Sequence, residues 1–217
     1  MKQILVAVAL VLVGLMPGVS QAVPLPFFDD FNTETLELNH GTFPQTNFIQ
    51  WTVSDGTVDL IGAPGFFDIA PDTLHGRYVD LDGTTKDAGV MTSAAFSLLA
   101  GTPYELTFDL AGSQRGDTNT MTNYGIDTTG DNIADISGVL LSRDSADLFS
   151  TVTLSFTTGA AIPVARIIFG QEGGNNNDVG LLLDNVKFQT VPEPASLMLL
   201  GAGLAAIGIW RRKAAKV

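Results

Sequence analysis

Between residues 27 and 188 apolar and polar side chains alternate in short runs, and this two-residue period restricts the fold more than any other feature. In residues 103–110, Tyr104, Leu106, Phe108 and Leu110 point one way while Glu105, Thr107 and Asp109 point the other. Val152, Leu154 and Phe156 alternate with Thr151, Thr153, Ser155 and Thr157 in the same manner. A strand with this pattern buries one face and leaves the other in water. Further strands are predicted at 27–31, 48–53, 57–61, 77–81, 89–92, 94–98, 137–142, 164–169 and 179–188, separated by clusters of Gly, Asp, Asn and Thr. There is no amphipathic helical pattern and no repeat of fixed period, which sets aside solenoids and propellers. Many short strands punctuated by turns pack most economically as an all-β, antiparallel two-sheet sandwich.

Charge narrows the partners. Five of the eleven basic residues (Lys2, Arg211, Arg212, Lys213 and Lys216) lie near the termini, so residues 23–191 hold six Lys and Arg against twenty-two Asp and Glu, a formal charge of −16. Such a field repels nucleic acid and anionic headgroups and attracts cations. The chain has no cysteine, which excludes disulfides, thiolate metal sites and cysteine nucleophiles. A domain of this length has a core large enough to do without disulfides, and bound calcium is a plausible substitute staple.

The two ends read as addresses. Lys2 precedes an apolar run from Ile4 to Met16, then Pro17 and Gly18, then Ser20-Gln21-Ala22, the pattern of a signal peptide spanning residues 1–22. The domain follows at 23–190. Residues 191–217 begin with Val191-Pro192-Glu193-Pro194, continue through an uncharged stretch to Trp210, and close on Arg211-Arg212-Lys213. Two prolines keep the backbone extended and accessible, the apolar stretch suits a single transmembrane helix, and the basic cluster stops transfer. This tripartite tail resembles the PEP-CTERM sorting signal of Gram-negative bacteria, with Pro192, Glu193 and Pro194 on its motif and Arg211 and Arg212 on its basic end. The resemblance implies an exosortase as partner, cleavage near the motif, and delivery to the outer surface or an exopolysaccharide matrix.

The domain itself resembles the jelly-roll modules that accompany such tails and, more distantly, galactose-binding-type carbohydrate-binding modules. The matching pieces are Asp29-Asp30-Phe31, the run from Gly76 to Gly83, the run from Ala100 to Phe108, and Leu183-Asp184-Asn185-Val186. Asp184 shares strand parity with Leu182, Val186 and Phe188, so it points into the core if they do, where an unpaired carboxylate needs a cation or strong hydrogen bonds. A bulge turning it to solvent and a turn-capping role are the alternatives. The modules it resembles often hold a structural calcium between first and last strands, which implies Asp184 near Asp29, Asp30 or Glu34. A second acidic constellation, Asp127, Asp131 and Asp135, has the spacing of a calcium loop but lacks its glycine and its terminal bidentate Glu, so a polar turn competes with it.

Catalytic signals are sparse. His40 and His75 sit in turn-like surroundings as expected loop residues, and no carboxylate pair stands out as a hydrolase's. An aromatic platform for sugar would draw on Trp51, the domain's lone tryptophan, with Tyr78 and Tyr124, against the alternative that these are core residues. The expectation is a non-enzymatic structural or adhesive surface protein, with polysaccharide recognition as the second reading and hydrolysis as a remote third.

Overall fold

The computed structural model describes residues 25–36, 41–45, 47–62, 69, 75–171 and 177–192. The expected signal peptide and transmembrane segment, with Glu193, Pro194, Arg211, Arg212 and His40, lie outside these residues. Among the described residues every regular element is a strand, and no helix is long and apolar enough to cross a membrane.

Fourteen strands are described: β1 (Phe27–Asp29), β2 (Gly41–Gln45), β3 (Trp51–Ser54), β4 (Val58–Gly62), β5 (Arg77–Asp80), β6 (Val90–Ser93), β7 (Phe96–Leu98), β8 (Pro103–Ala111), β9 (Asn119–Asp127), β10 (Ile136–Ser137), β11 (Leu141–Arg143), β12 (Ser150–Thr157), β13 (Ile162–Gln171) and β14 (Leu182–Thr190). They form two antiparallel sheets. The first runs β12-β8-β14-β5-β4-β2 with β1 also on β14; the second runs β10-β9-β13-β6-β3 with β11 on β9 and β7 on β13. The chain passes repeatedly from sheet to sheet, and the architecture is an antiparallel jelly-roll sandwich.

The alternation seen in the sequence builds the space between the sheets. Tyr104, Leu106, Phe108 and Leu110 of β8 meet Phe169, Ile167 and Ala165 of β13 and Tyr124 and Ile126 of β9 in one continuous core. Its aromatic centre includes Phe108 edge-on to Phe169, with centroids 4.9 Å apart. A smaller apolar cluster lies elsewhere: Ile61, Tyr78, Ala111 and Leu182, with Phe43, Ile69 and Phe149 packed against it. These residues alternate with core residues along the strands of the first sheet, so they occupy its outer face.

Two departures from the sequence expectation have clear causes. β9, the centre of one half of the second sheet, reads Asn-Thr-Met-Thr-Asn-Tyr-Gly-Ile-Asp and was not expected. A register shift against β13 between Gly170 and Gln171 breaks its phase, so Met121 and Tyr124, three apart, both face inward. β2 contains Pro44, which demotes a run to an edge strand, and β2 is indeed at the edge of the first sheet. The expected strand at 48–53 begins only at Trp51, and that at 137–142 divides into the ends of β10 and β11.

Candidate functional site

Val58-Asp59-Leu60 in β4 and Val79-Asp80-Leu81 at β5 are the same tripeptide. Leu60 pairs with Val79, and Asp59 pairs with Asp80. Since Val58, Leu60, Val79 and Leu81 belong to the main core, both aspartates are placed side by side on the outer face. There they line a pocket of about 290 Å³ with Phe43, Ile61, Ile69, Thr84, Arg115 and Asp178. Asp59 Oδ1 accepts the Thr84 N–H at 3.1 Å and its Oδ2 the Thr84 hydroxyl at 2.7 Å. Asp80 Oδ1 accepts the Asp82 N–H at 3.1 Å, and its Oδ2 is ion-paired with the Arg115 guanidinium. Burial pushes Asp80 up to about 7 even though Arg115 and the Asp82 N–H favour its ionised form, and burial likewise raises Asp59. These two carboxylates were not singled out from sequence. Their signal was there, in a charged residue held between two core residues in two separate strands.

A second polar station lies on the same face. β14 carries a bulge: its register against β8 shifts between Asp184 and Lys187, and Asn185 adopts φ 51°. Leu183 therefore shares the inner face with Val186 and Phe188, while Asp184 goes with Leu182 to the outer one. The parity argument for Asp184 fails at this bulge. Asp184 is nonetheless only 1% exposed, because the outer face is covered here. Asp184 Oδ2 meets His75 Nδ1 at 2.6 Å and Oδ1 accepts the Asn185 N–H at 2.7 Å. Burial raises its pKa, opposed first by the hydrogen bond with His75. His75, expected as an exposed loop residue, is instead stacked on Phe149 with centroids 3.8 Å apart, and Tyr78 meets the same ring edge-on at 5.9 Å.

The structure does not bring Asp184 together with the first strand's acids. Asp29 pairs with Val186 and so shares the inner face, where its Oδ2 accepts the Trp51 indole N–H at 2.9 Å and its Oδ1 the Phe31 N–H at 2.8 Å. Asp30 accepts the Asn32 N–H in a local turn. Glu34 accepts the Ile49 N–H with both oxygens. In the acidic loop, Asp127 accepts the N–H groups of Thr129, Gly130 and Asn132, Asp131 that of Ile133, and Asp135 the Thr128 N–H and hydroxyl. The loop is thus a turn tied by its own carboxylates. Among the described residues no three His, Asp or Glu side chains gather closely enough to hold a metal ion.

Trp51, Tyr78 and Tyr124 do not form a stacking platform: all three are buried, at 4%, 0% and 4% exposure. Trp51 packs on Phe27 and Phe169. The Tyr78 hydroxyl accepts the Ile69 N–H, and the Tyr124 hydroxyl donates to the Val139 carbonyl. Trp51 and Tyr124 belong to the core and Tyr78 to the outer-face cluster, each with its polar end bonded to a protein partner, the usual arrangement for a buried Trp or Tyr.

β14 ends at Thr190, its neighbour Val191 donates its N–H to the Pro103 carbonyl, and the backbone leaves the sheet at an exposed Pro192. Residues 190–213 match the PEP-CTERM protein-sorting motif. The motif marks an exported protein of the envelope or its surroundings, processed by an exosortase. No curated protein matches the chain. In fold it is similar to the CBM22-1 xylan-binding domain of a Paenibacillus barcinonensis protein, at a TM-score of 0.45 and 9% identity, over 71% of this chain and 94% of that one. It is also similar to a cleaved adhesin domain of Lys-gingipain from Porphyromonas gingivalis, at a TM-score of 0.47 and 15% identity, over 78% of this chain and all of that one (100%). A CBM4 module gives a TM-score of 0.40 and 16% identity, over 65% of this chain and 86% of that one.

Proposed function

We propose that this protein is a non-enzymatic structural or adhesive component of the cell envelope or of an exopolysaccharide matrix. The observation that carries the reading is the join at residue 190: the sorting motif begins on the last residue of β14, so the sandwich is presented by its own central strand. Fractionation of cells with and without the exosortase tests the sorting step. The expected result is a shortened, surface or matrix form in the parent and an unprocessed membrane form in the deletion strain. Identical, unprocessed material in both strains overturns it.

Polysaccharide recognition is the second reading, favoured by the pocket at Asp59 and Asp80, where apolar and hydrogen-bonding walls meet. The paired carboxylates also allow a direct check on hydrolysis. Release of reducing ends from a polysaccharide by the purified protein, abolished by Asp59→Asn, would overturn the non-enzymatic reading.

A further inference from the structure

The pocket on the first sheet is expensive to build. Like charges directly opposite one another across a strand pair are destabilising, and Asp59 and Asp80 are such a pair, both largely removed from water. Arg115 neutralises one of them; Asp178 on the rim restores the excess. Where a sequence breaks a local rule at a cavity wall, a binding role is the first explanation to test.

The donors and acceptors suggest what fits. Among the described residues each of the four carboxylate oxygens has one partner, and a carboxylate oxygen has two lone pairs, so acceptor capacity is left over, fully so once Asp80 ionises, for a guest that carries several hydroxyl or ammonium protons. The guanidinium has five N–H donors, of which Asp80 does not exhaust the supply. Beside these groups Phe43, Ile61 and Ile69 supply apolar lining. A guest with one hydrogen-bonding edge and one C–H face matches that division. The volume of about 290 Å³ lies just below the roughly 300–1,000 Å³ range of ligand pockets, which suits one ring and not a long chain. Above about pH 7, where Asp80 is ionised, two aspartates here are uncompensated and residues 23–191 carry −16, so a carboxylate-bearing guest is repelled.

We propose that the pocket walled by Asp59, Asp80, Thr84, Arg115, Phe43 and Ile61 binds a single non-anionic saccharide ring, neutral or amino-substituted, and rejects uronates. The proposal rests on the polysaccharide-recognition reading and assigns it a site and a charge selection. The aspartates accept the ring's hydroxyl or ammonium protons, Arg115 donates to a ring or hydroxyl oxygen, and the C–H face lies on Phe43 and Ile61.

Calorimetric titration of the full chain with xylotetraose, a glucosamine tetramer and tetragalacturonate tests it, alongside Asp59→Asn and Asp80→Asn. The expected result is binding of one or both of the first two, no binding of the third, and at least a tenfold loss in each variant, the equivalent of about 1.4 kcal/mol. If no saccharide binds at millimolar concentration, both the site and the recognition reading fall. If folded Asp59→Asn and Asp80→Asn bind as tightly as the parent, the site assignment falls while recognition stands. Equal affinity for tetragalacturonate overturns the charge selection. Methyl NMR on the unmutated chain covers the case in which a variant does not fold: ligand-induced shifts are expected at Ile61, Ile69 and Thr84, and their absence on ligand binding overturns the site.

Discussion

Asp80 is 2% exposed and would ionise near 3.8 in the unfolded chain, yet in the fold it holds its proton up to about 7. Between those values the folded state binds a proton that the unfolded state has released. Its contribution to stability is therefore complete below about pH 4, declines as pH rises, and is lost above about 7, a swing on the order of 4 kcal/mol at most. Asp29, Glu34, Asp59 and Asp184 are shifted in the same direction, again by burial. The melting temperature is accordingly expected to fall between pH 5 and pH 8, and Asp80→Asn should flatten that slope without removing it; superimposable pH profiles for parent and variant would refute the assignment. Trp51 is the other decisive residue. Its indole N–H is bonded to the buried Asp29, so Trp51→Phe strands a carboxylate oxygen and opens space in the core, with an expected loss of about 2–4 kcal/mol in denaturant unfolding. Saccharide affinity should be unchanged by it, whereas an exposed platform would show the reverse: little effect on stability and a large one on binding.

At the level of strands, Gly125 shows how tightly β9 and β10 are fitted. It adopts φ +137°, and a Cβ there would stand 2.0 Å from the Ile136 carbonyl oxygen. Gly125→Ala is expected to cost about 2–4 kcal/mol, while Gly159→Ala, with nothing within 4 Å of its added carbon, should change unfolding free energy by less than about 0.5 kcal/mol. Comparable losses in the two variants would mean that β10 does not seat on β9 as described. The same irregularities decide what the sequence could disclose. β8 and β12 alternate without interruption over their paired lengths, from Pro103↔Thr157 to Leu110↔Ser150, and both were legible. β9 and β14 each contain a bulge, and a one-residue phase change moves every later side chain to the opposite face. That shift hid β9 altogether and sent Asp184 to the wrong side of its sheet in the sequence reading. The pocket was hidden for a different reason: Asp59 and Asp80 are twenty-one positions apart, and only the pairing of β4 with β5 makes neighbours of them.

For the molecule as a whole, calcium now has a narrower basis than acidity alone suggested, because Asp30, Asp127, Asp131, Asp135 and Asp184 are each engaged by protein donors. Thermal melts with millimolar calcium and with chelator are expected to agree to within about 1 °C. A rise of roughly 2–4 °C, what a cation held at a hundred times its Kd would give a domain of this length, would show that the acidic turns rearrange around a metal. The way β14 is gripped has a mechanical consequence. β8 holds it from Leu182↔Ala111 to Thr190↔Tyr104, and β1 holds it from Phe27↔Phe188 to Asp29↔Val186. Traction applied where the sorting motif begins runs along the axis of this central strand, across hydrogen bonds on both flanks. Those bonds are loaded in shear and must fail together, whereas an edge strand would peel away one bond at a time. A pull on that end would thus be met by β14, β8 and β1 acting in concert.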